Sequence, residues 1–298
     1  MNYIGEFAAL GTSLAFSFGS IFFSLAGHRL SAIVANRTRL IVAAVLLSLT
    51  HWLILGSLWP LDADPQRWFW LSLSGIVGLV LGDIFLFQAF LWIGPRLSML
   101  MMSLAPVIAS LLAWIFLDEI LSTGQIFGIL LTLAGIAWVV MEDGKKNQAV
   151  NLNYRRGILY GLGGAVGQAA GLILAKNGLS GDFSPISANV IRMLAAVVVM
   201  WGMTFFQGQV SDTIKKIRAN PRGLSYILVA SFFGPFIGVS LSLLAVQHAE
   251  IGVASTLMAL PPVFLLPISY LVFKERFGWR AVLGTLLAVG GVGLLFLV

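Results

Sequence analysis

Apolar residues run through this 298-residue chain in blocks, separated by short polar or glycine- and proline-containing breaks. Each block is roughly 20 residues long, enough for a helix to cross a bilayer core of about 30 Å. Ten blocks are predicted, at about 4–26, 32–56, 68–92, 95–117, 123–141, 157–175, 184–206, 223–247, 251–273 and 278–298. Hydrocarbon supplies no partners for backbone N–H and C=O groups, so helices are the expected form. A transmembrane barrel would show short alternating segments instead. The first block carries Glu6 and lacks a basic leader, and reads as a retained helix rather than a cleaved signal.

The blocks repeat. Gly94–Glu119 (GPRLSMLMMSLAPVIASLLAWIFLDE) returns in outline as Glu250–Glu275 (EIGVASTLMALPPVFLLPISYLVFKE). One shift places Pro106 on Pro262, Glu119 on Glu275, Gly82 on Gly238, Gly128 on Gly284 and Gly135 on Gly291. A shared register of this kind indicates a duplicated architecture. A second trace is independent of it: Asn36 and Arg39 in block 2 recur as Asn189 and Arg192 in block 7, at identical spacing. The polar segment EDGKKNQAVNLNYRR, Glu142–Arg156, divides the copies. The expected organisation is a first five-helix repeat at 1–143, a cytoplasmic linker at 144–156 and a second five-helix repeat at 157–298. Five helices per copy make the two repeats inverted in the membrane, a recurrent plan among secondary transporters.

Composition sharpens the class. Hydrophobic residues make up 59% of the chain and charged residues 10%, with a mean hydropathy of +0.96. That leaves too little charge to coat a soluble domain. The chain is read as an all-α polytopic membrane protein with ten transmembrane helices. The pI of about 9.9 does not call for nucleic acid, because the basic residues sort by loop. One side collects Arg29, Arg96, Lys145, Lys146, Arg155, Arg156, Lys215, Lys216, Arg218, Arg222, Lys274, Arg276 and Arg280; the other collects Arg67 and Lys176. The positive-inside rule then puts both termini outside the cytoplasm. The stretch Gln207–Arg222, containing KKIR, is expected to lie on the anionic inner leaflet.

Candidate chemistry is sparse. Asp83 lies mid-membrane in GLVLGDIFLFQAFL, where a carboxylate costs about 2.5–3.5 kcal/mol on insertion scales and marks a functional candidate. Counted along their helices, Arg39 and Asp83 fall at depths within roughly one turn of each other, so a buried ion pair is geometrically open. Structural pairing and a transport role, as a proton or cation site, weigh equally. Arg37 is expected to snorkel to the cytoplasmic surface. In block 8, Val239 stands where block 3 has Asp83, which leaves Arg192 without an equivalent local partner.

Further cavity candidates are Ser17, Phe87, Gln88, Met102, Gln168, Ser240 and Thr256. The plainer readings are that Ser17 back-bonds to its own helix and that Met102 fills packing space. Gly163, Gly167 and Gly171 recur every four residues in block 6, spacing that lets another helix approach closely. This run is no dinucleotide fingerprint, for no strand precedes it. Pro106 and Pro262 are the predicted kinks and hinge candidates.

The chain has no cysteine, and His28, His51 and His248 lack metal-ligand spacing. There is no HExxH, GxSxG or Walker A loop. No metal, cofactor or catalytic residue is expected, and the protein is not read as an enzyme.

The duplicated halves, the mid-helix prolines, the exits LDE and FKE ending at Glu119 and Glu275, and the segments GQIFGILLTLAGIAWVV and WRAVLGTLLAVGGVGLLFLV resemble the EamA family of the drug/metabolite transporter superfamily. The resemblance covers nearly the whole chain and is also similar to that of aromatic amino acid exporters. It implies a central cavity lined mainly by helices 1, 3, 4, 6, 8 and 9. It implies a secondary transporter in the cytoplasmic membrane, working by alternating access on a small metabolite, with amino acid export favoured. Drugs or other metabolites are the alternative cargo, and a non-transporting membrane scaffold or enzyme is the alternative class. A monomer or weak dimer in the lipid bilayer completes the expectation, with Asp83 either a proton or cation site or the partner that holds Arg39.

Overall fold

A computed structural model of the chain describes residues 3–116, 122–146, 151–179, 183–248, 257–274 and 278–297. Among these residues every regular element is helical. The elements are α1 (Ile4–Leu30), α2 (Ala32–Leu55), α3 (Pro65–Gly75), α4 (Asp83–Met102), α5 (Leu104–Phe116), α6 (Thr123–Lys146) and α7 (Asn151–Gly178). They continue as α8 (Pro185–Phe206), α9 (Val210–Ala219), α10 (Pro221–Ser231), α11 (Val239–His248), α12 (Pro261–Phe273) and α13 (Trp279–Leu297). Among the described residues, 7 helices are long and apolar enough to cross a membrane, and α12 and α13 are shorter apolar helices. Large apolar side chains stay exposed on the outer surface, among them Phe7, Leu53, Val198, Phe205 and Phe206. That is how helices that are apolar all round meet lipid.

The breaks between elements have identifiable causes. The long span Pro65–Met102 holds the third predicted block and the start of the fourth, and Gly94 (φ 74°) turns the chain inside it. A residue with a Cβ is strained at that φ. The Ser98 hydroxyl donates back to the Gly94 carbonyl at 2.7 Å. Pro106 does not bend one helix at its middle, as predicted. The helix is interrupted at Ser103, between α4 and α5, and Pro106 lies in the first turn of α5. A proline lacks the N–H that would reach back one turn, so the interruption falls before it. Pro261 and Pro262 likewise open α12 rather than kink it, and Pro267 lies inside. Glu119, Glu275, Ser255 and Thr256 fall outside the described residues.

Two π-helical segments join the outer arms to the inner ones: Ile76–Gly82 between α3 and α4, and Phe232–Gly238 between α10 and α11. Each widens a helix by one residue per turn, a distortion frequent at functional sites. The shift that carries Gly82 to Gly238 also superposes the first residues of the two segments. Each packs against the opening helix of the other half. A Cβ at Gly171 of α7 would stand 3.0 Å from the Gly78 Cα, and one at Gly19 of α1 would stand 3.2 Å from the Gly234 Cα. The glycine spacing of α7 therefore serves close approach, with Gly167 meeting Gly82 and Gly163 meeting the Phe85 ring. α6 and α13 form a separate tight pair, where Gly135 meets the backbone of Ala288 and Gly291 meets Thr132.

The stretch after α8 is not a plain loop. α9 runs through it as a short amphipathic helix, with Lys215, Lys216 and Arg218 exposed. Arg37 of α2 does not snorkel to water. It is buried, donating to the Thr213 hydroxyl at 2.9 Å and to Gln209 Oε1 at 2.8 Å, and its carbonyl accepts from the Trp201 indole at 3.0 Å. The guanidinium finds these partners because α9 covers the end of α2 before solvent can.

Candidate functional site

The polar centre of the protein is built on the first residue of α4. Asp83 follows the π segment directly and is buried. Two side chains hold its two oxygens. Arg39 of α2 donates Nη2 to Oδ2 in a buried ion pair, and Gln168 of α7 donates Nε2 to Oδ1 at 3.0 Å. A carboxylate in this setting is tolerable because both oxygens are satisfied by donors, one of them charged. The depth match between Arg39 and Asp83 read from the sequence is thus realised as a contact.

The Arg39 guanidinium is also enclosed by rings. It stands 5.4 Å from the centroid of Phe87 and 5.7 Å from that of Phe23, within the range of cation–π attraction. The two rings contact each other at 4.8 Å, tilted by 55°. Phe87 reaches Arg39 because it lies one helical turn beyond Asp83, on the same face of α4. Gln88, one residue further, leaves that face and is half-buried.

Arg192 of α8, which the sequence leaves without an equivalent local acid, packs next to this group. It packs in the same seam, with Nη2 beside Gly78 and Gln168, and makes no ion pair with Asp83. Its Nη1 donates to Asn189 Oδ1 at 3.4 Å, and its Nε has no hydrogen-bond partner. The approach depends on two glycines of the first outer arm. A Cβ at Gly75 would stand 2.2 Å from the Arg192 carbonyl oxygen. One at Gly78 would stand 3.6 Å from Arg192 Nη2 and 3.8 Å from Gln168 Oε1. One carboxylate is thereby held by groups from both halves of the chain, Arg39 from the first and Gln168 from the second, with Arg192 beside Gln168. The sequence marked each residue, but not that α7 and α8 bring theirs to Asp83. Asn36, one turn before Arg39, is fully buried with both amide atoms unpartnered.

The other candidates lie elsewhere. Ser17 is fully buried, donating to the Ser13 carbonyl at 2.7 Å and the Pro261 carbonyl at 3.4 Å, so it ties α1 to the start of α12. Ser240 donates to the Phe236 carbonyl at 2.6 Å, inside its own helix. Met102 packs between two apolar clusters at the end of α4. His51, which the sequence did not single out, joins the halves. Its ring nitrogens meet the Ser57 carbonyl at 2.5 Å and the Ser187 hydroxyl at 3.0 Å. No cluster of His, Cys, Asp or Glu fit for a metal ion occurs among the described residues.

Comparison with known proteins agrees with the duplicated pattern. The model of the EamA-like transporter family matches the chain twice, over residues 3–141 and 155–297. A probable 4-amino-4-deoxy-L-arabinose-phosphoundecaprenol flippase subunit, ArnE, from Pseudomonas fluorescens is 31% identical over 105 residues, covering 35% of this chain and 87% of that protein. A crystal structure at 15% identity superposes with a TM-score of 0.67 over 99% of this chain and 96% of its own, which shows a shared fold. The two family matches together span nearly all of the helical chain, which belongs to the EamA-like transporter family and is a multi-pass membrane transporter.

Proposed function

We propose that the protein is a secondary transporter that carries a small metabolite, foremost an amino acid and in the direction of export, across the cytoplasmic (inner) membrane. The observation that carries this reading is the buried Asp83, held at once by Arg39 of one half and Gln168 of the other. A contact made across the halves is strained or broken when they rock, which is what alternating access requires. The architecture offered is ten passes in two inverted five-helix repeats, 1–143 and 157–298. In this count the arms on either side of Gly94 are separate passes, α3 with the first π segment and part of α4, then the rest with α5. α10, the second π segment and α11 form one pass. The interruptions before Pro106 and Pro262 are the hinges. The bias of Lys and Arg toward one set of loops supports termini outside the cytoplasm.

In this scheme Asp83, Phe87, Gln88, Gln168 and Met102 face the substrate path, with Ser17, Ser240 and Thr256 bordering it, and Arg39 and Arg192 hold the gate. Asp83 also takes up a proton in the half-cycle that releases it from Arg39. A monomer suffices, because the groups that hold Asp83 all come from one chain. Amino acid efflux from proteoliposomes, driven with and without a proton gradient, tests the reading: it runs in the native protein and fails in Asp83→Asn. Undiminished flux in that variant removes Asp83 from the mechanism. A second reading, flipping of a lipid-linked polar headgroup, is favoured by the likeness to the flippase subunit. Efflux of a free amino acid in vesicles lacking any lipid-linked sugar decides against it.

A further inference from the structure

The basic helix α9 is used on two faces. Gln209, Thr213 and Ile217 recur every four residues and turn inward. The first two hold Arg37, and Ile217 packs on the core around Phe23 and Ile227. Ser211, Ile214, Lys215 and Arg218 share the opposite face, kept together by spacings of three and four. With Phe205 and Gly208 at the end of α8, they line an open groove of about 560 Å³. That volume lies within the roughly 300–1,000 Å³ of small-molecule sites. The lining offers two cations and a hydroxyl, and neither cation is paired with an acid among the described residues. Asp212, the acid of α9, lies in its first turn and does not line the groove.

Beside the groove, α8 turns an apolar wall outward. Val198, Gly202 and Phe205 follow one another on one helical face. Val198 and Phe205 are each 71% exposed, and a Cβ added at Gly202 would meet nothing within 4 Å. The missing side chain leaves a furrow about 10 Å long between the two, at 1.5 Å per residue. Phe205 belongs to the furrow and to the groove, so the two are continuous.

We propose that this corner binds one anionic phospholipid of the adjoining leaflet, its phosphate on Lys215 and Arg218 and one acyl chain along the furrow at Gly202. The site is cationic at one end and apolar at the other, as such a lipid is anionic and apolar. A soluble anion would use the cations and leave the furrow empty. The bias of Lys and Arg supports a cytoplasmic position for this leaflet. The proposal rests on the chain being a membrane protein and stands apart from what it transports. Lipid on the outer face of α9 presses the inner face onto Arg37, so occupancy steadies the end of the helix that carries Arg39.

The test is thermal shift on the full-length protein in an uncharged detergent at constant ionic strength. The probes are dioctanoyl phosphatidylglycerol, dioctanoyl phosphatidylcholine and glycerol 3-phosphate. The first is expected to raise Tm saturably while the other two do not. Replacing both cations, Lys215→Gln with Arg218→Gln, is expected to weaken that binding about 30-fold. Both residues are exposed, so the variant keeps its fold. Arg155→Gln with Arg156→Gln removes the same charge outside the groove and leaves binding intact. Gly202→Trp fills the furrow and weakens binding, with the lipid-free midpoint unchanged because that position is open. An equal shift from phosphatidylcholine overturns the proposal in favour of plain apolar contact, and one from glycerol 3-phosphate in favour of a soluble anion. Equal weakening in the Arg155 and Arg156 variant overturns it in favour of diffuse charge. Full binding without Lys215 and Arg218, or with the furrow filled by Gly202→Trp, overturns it outright.

Discussion

The two π segments are built alike and used differently. Ile76–Gly82 and Phe232–Gly238 occupy matching positions in the two halves, end on matching glycines, and receive a glycine from the opening helix of the opposite half. Beyond the first stands Asp83, bonded to Arg39 and Gln168, with Arg192 next to Gln168. Beyond the second stands Val239. There Gly238 abuts the Phe16 ring, and the polar contact is Thr12 donating to the Gly238 carbonyl at 3.3 Å. Glycine sets the shape of both joints, because only a missing side chain lets the backbones come so close. A single residue position sets their chemistry. One joint is a packing contact, the other a charged latch that depends on its partners.

That contrast can be broken most strongly from the charged side. Asp83→Asn leaves Arg39 and Arg192 buried without an acid, and loss of one member of a buried pair costs about 3–5 kcal/mol. The expected result is a large fall in unfolding midpoint in mild detergent, and an unchanged midpoint means that the latch contributes nothing to holding the halves. The reverse change, Val239→Asp, places an acid in the second joint with no arginine described beside it. Its expected cost is about 2.5–3.5 kcal/mol, and in an Asp83→Asn background it restores neither stability nor flux. Rescue by this double variant would mean that the two joints are interchangeable.

Shape can be tested apart from charge. Gly167→Val places a side chain where even a Cβ stands 2.5 Å from the Gly82 Cα, and overpacking of this kind costs about 1–3 kcal/mol. Gly19→Ala, whose Cβ has 3.2 Å, is expected to cost less in the same measurement, because the second joint is looser. The smallest effect belongs to Ser240→Ala. Its hydroxyl is bonded to its own helix, so stability moves within about 0.5 kcal/mol. A loss of flux without loss of stability in that variant would instead assign Ser240 to the substrate path.

Much of this was legible in residues read one after another. Twenty-residue apolar blocks can only be membrane helices, since the bilayer leaves backbone groups no other partner. The repeated register of Pro106 with Pro262 and of Arg39 with Arg192 runs parallel to the two matches of the family model, and a carboxylate in such a block had to be special for reasons of solvation alone. Depth along a helix is linear in sequence, so even the Arg39–Asp83 contact could be anticipated.

What a linear pattern does not carry is the azimuth of one helix against another, and here tertiary structure decided. Gln168 was one polar residue beside a glycine stripe until α7 packed against the first π segment and brought it to Asp83. Arg192 seemed to lack a partner because its own half has Val239. The structure sets it against the other half, packed on Gly75 and Gly78, without an ion pair to Asp83. Arg37 was to snorkel until α9 closed over it. The sequence by itself determined that the chain spans the membrane and carries an acid, Asp83, inside an apolar block, because those follow from solvation and periodicity. Only the packed structure decided which groups hold that acid, because helix against helix is settled by where glycines let backbones touch.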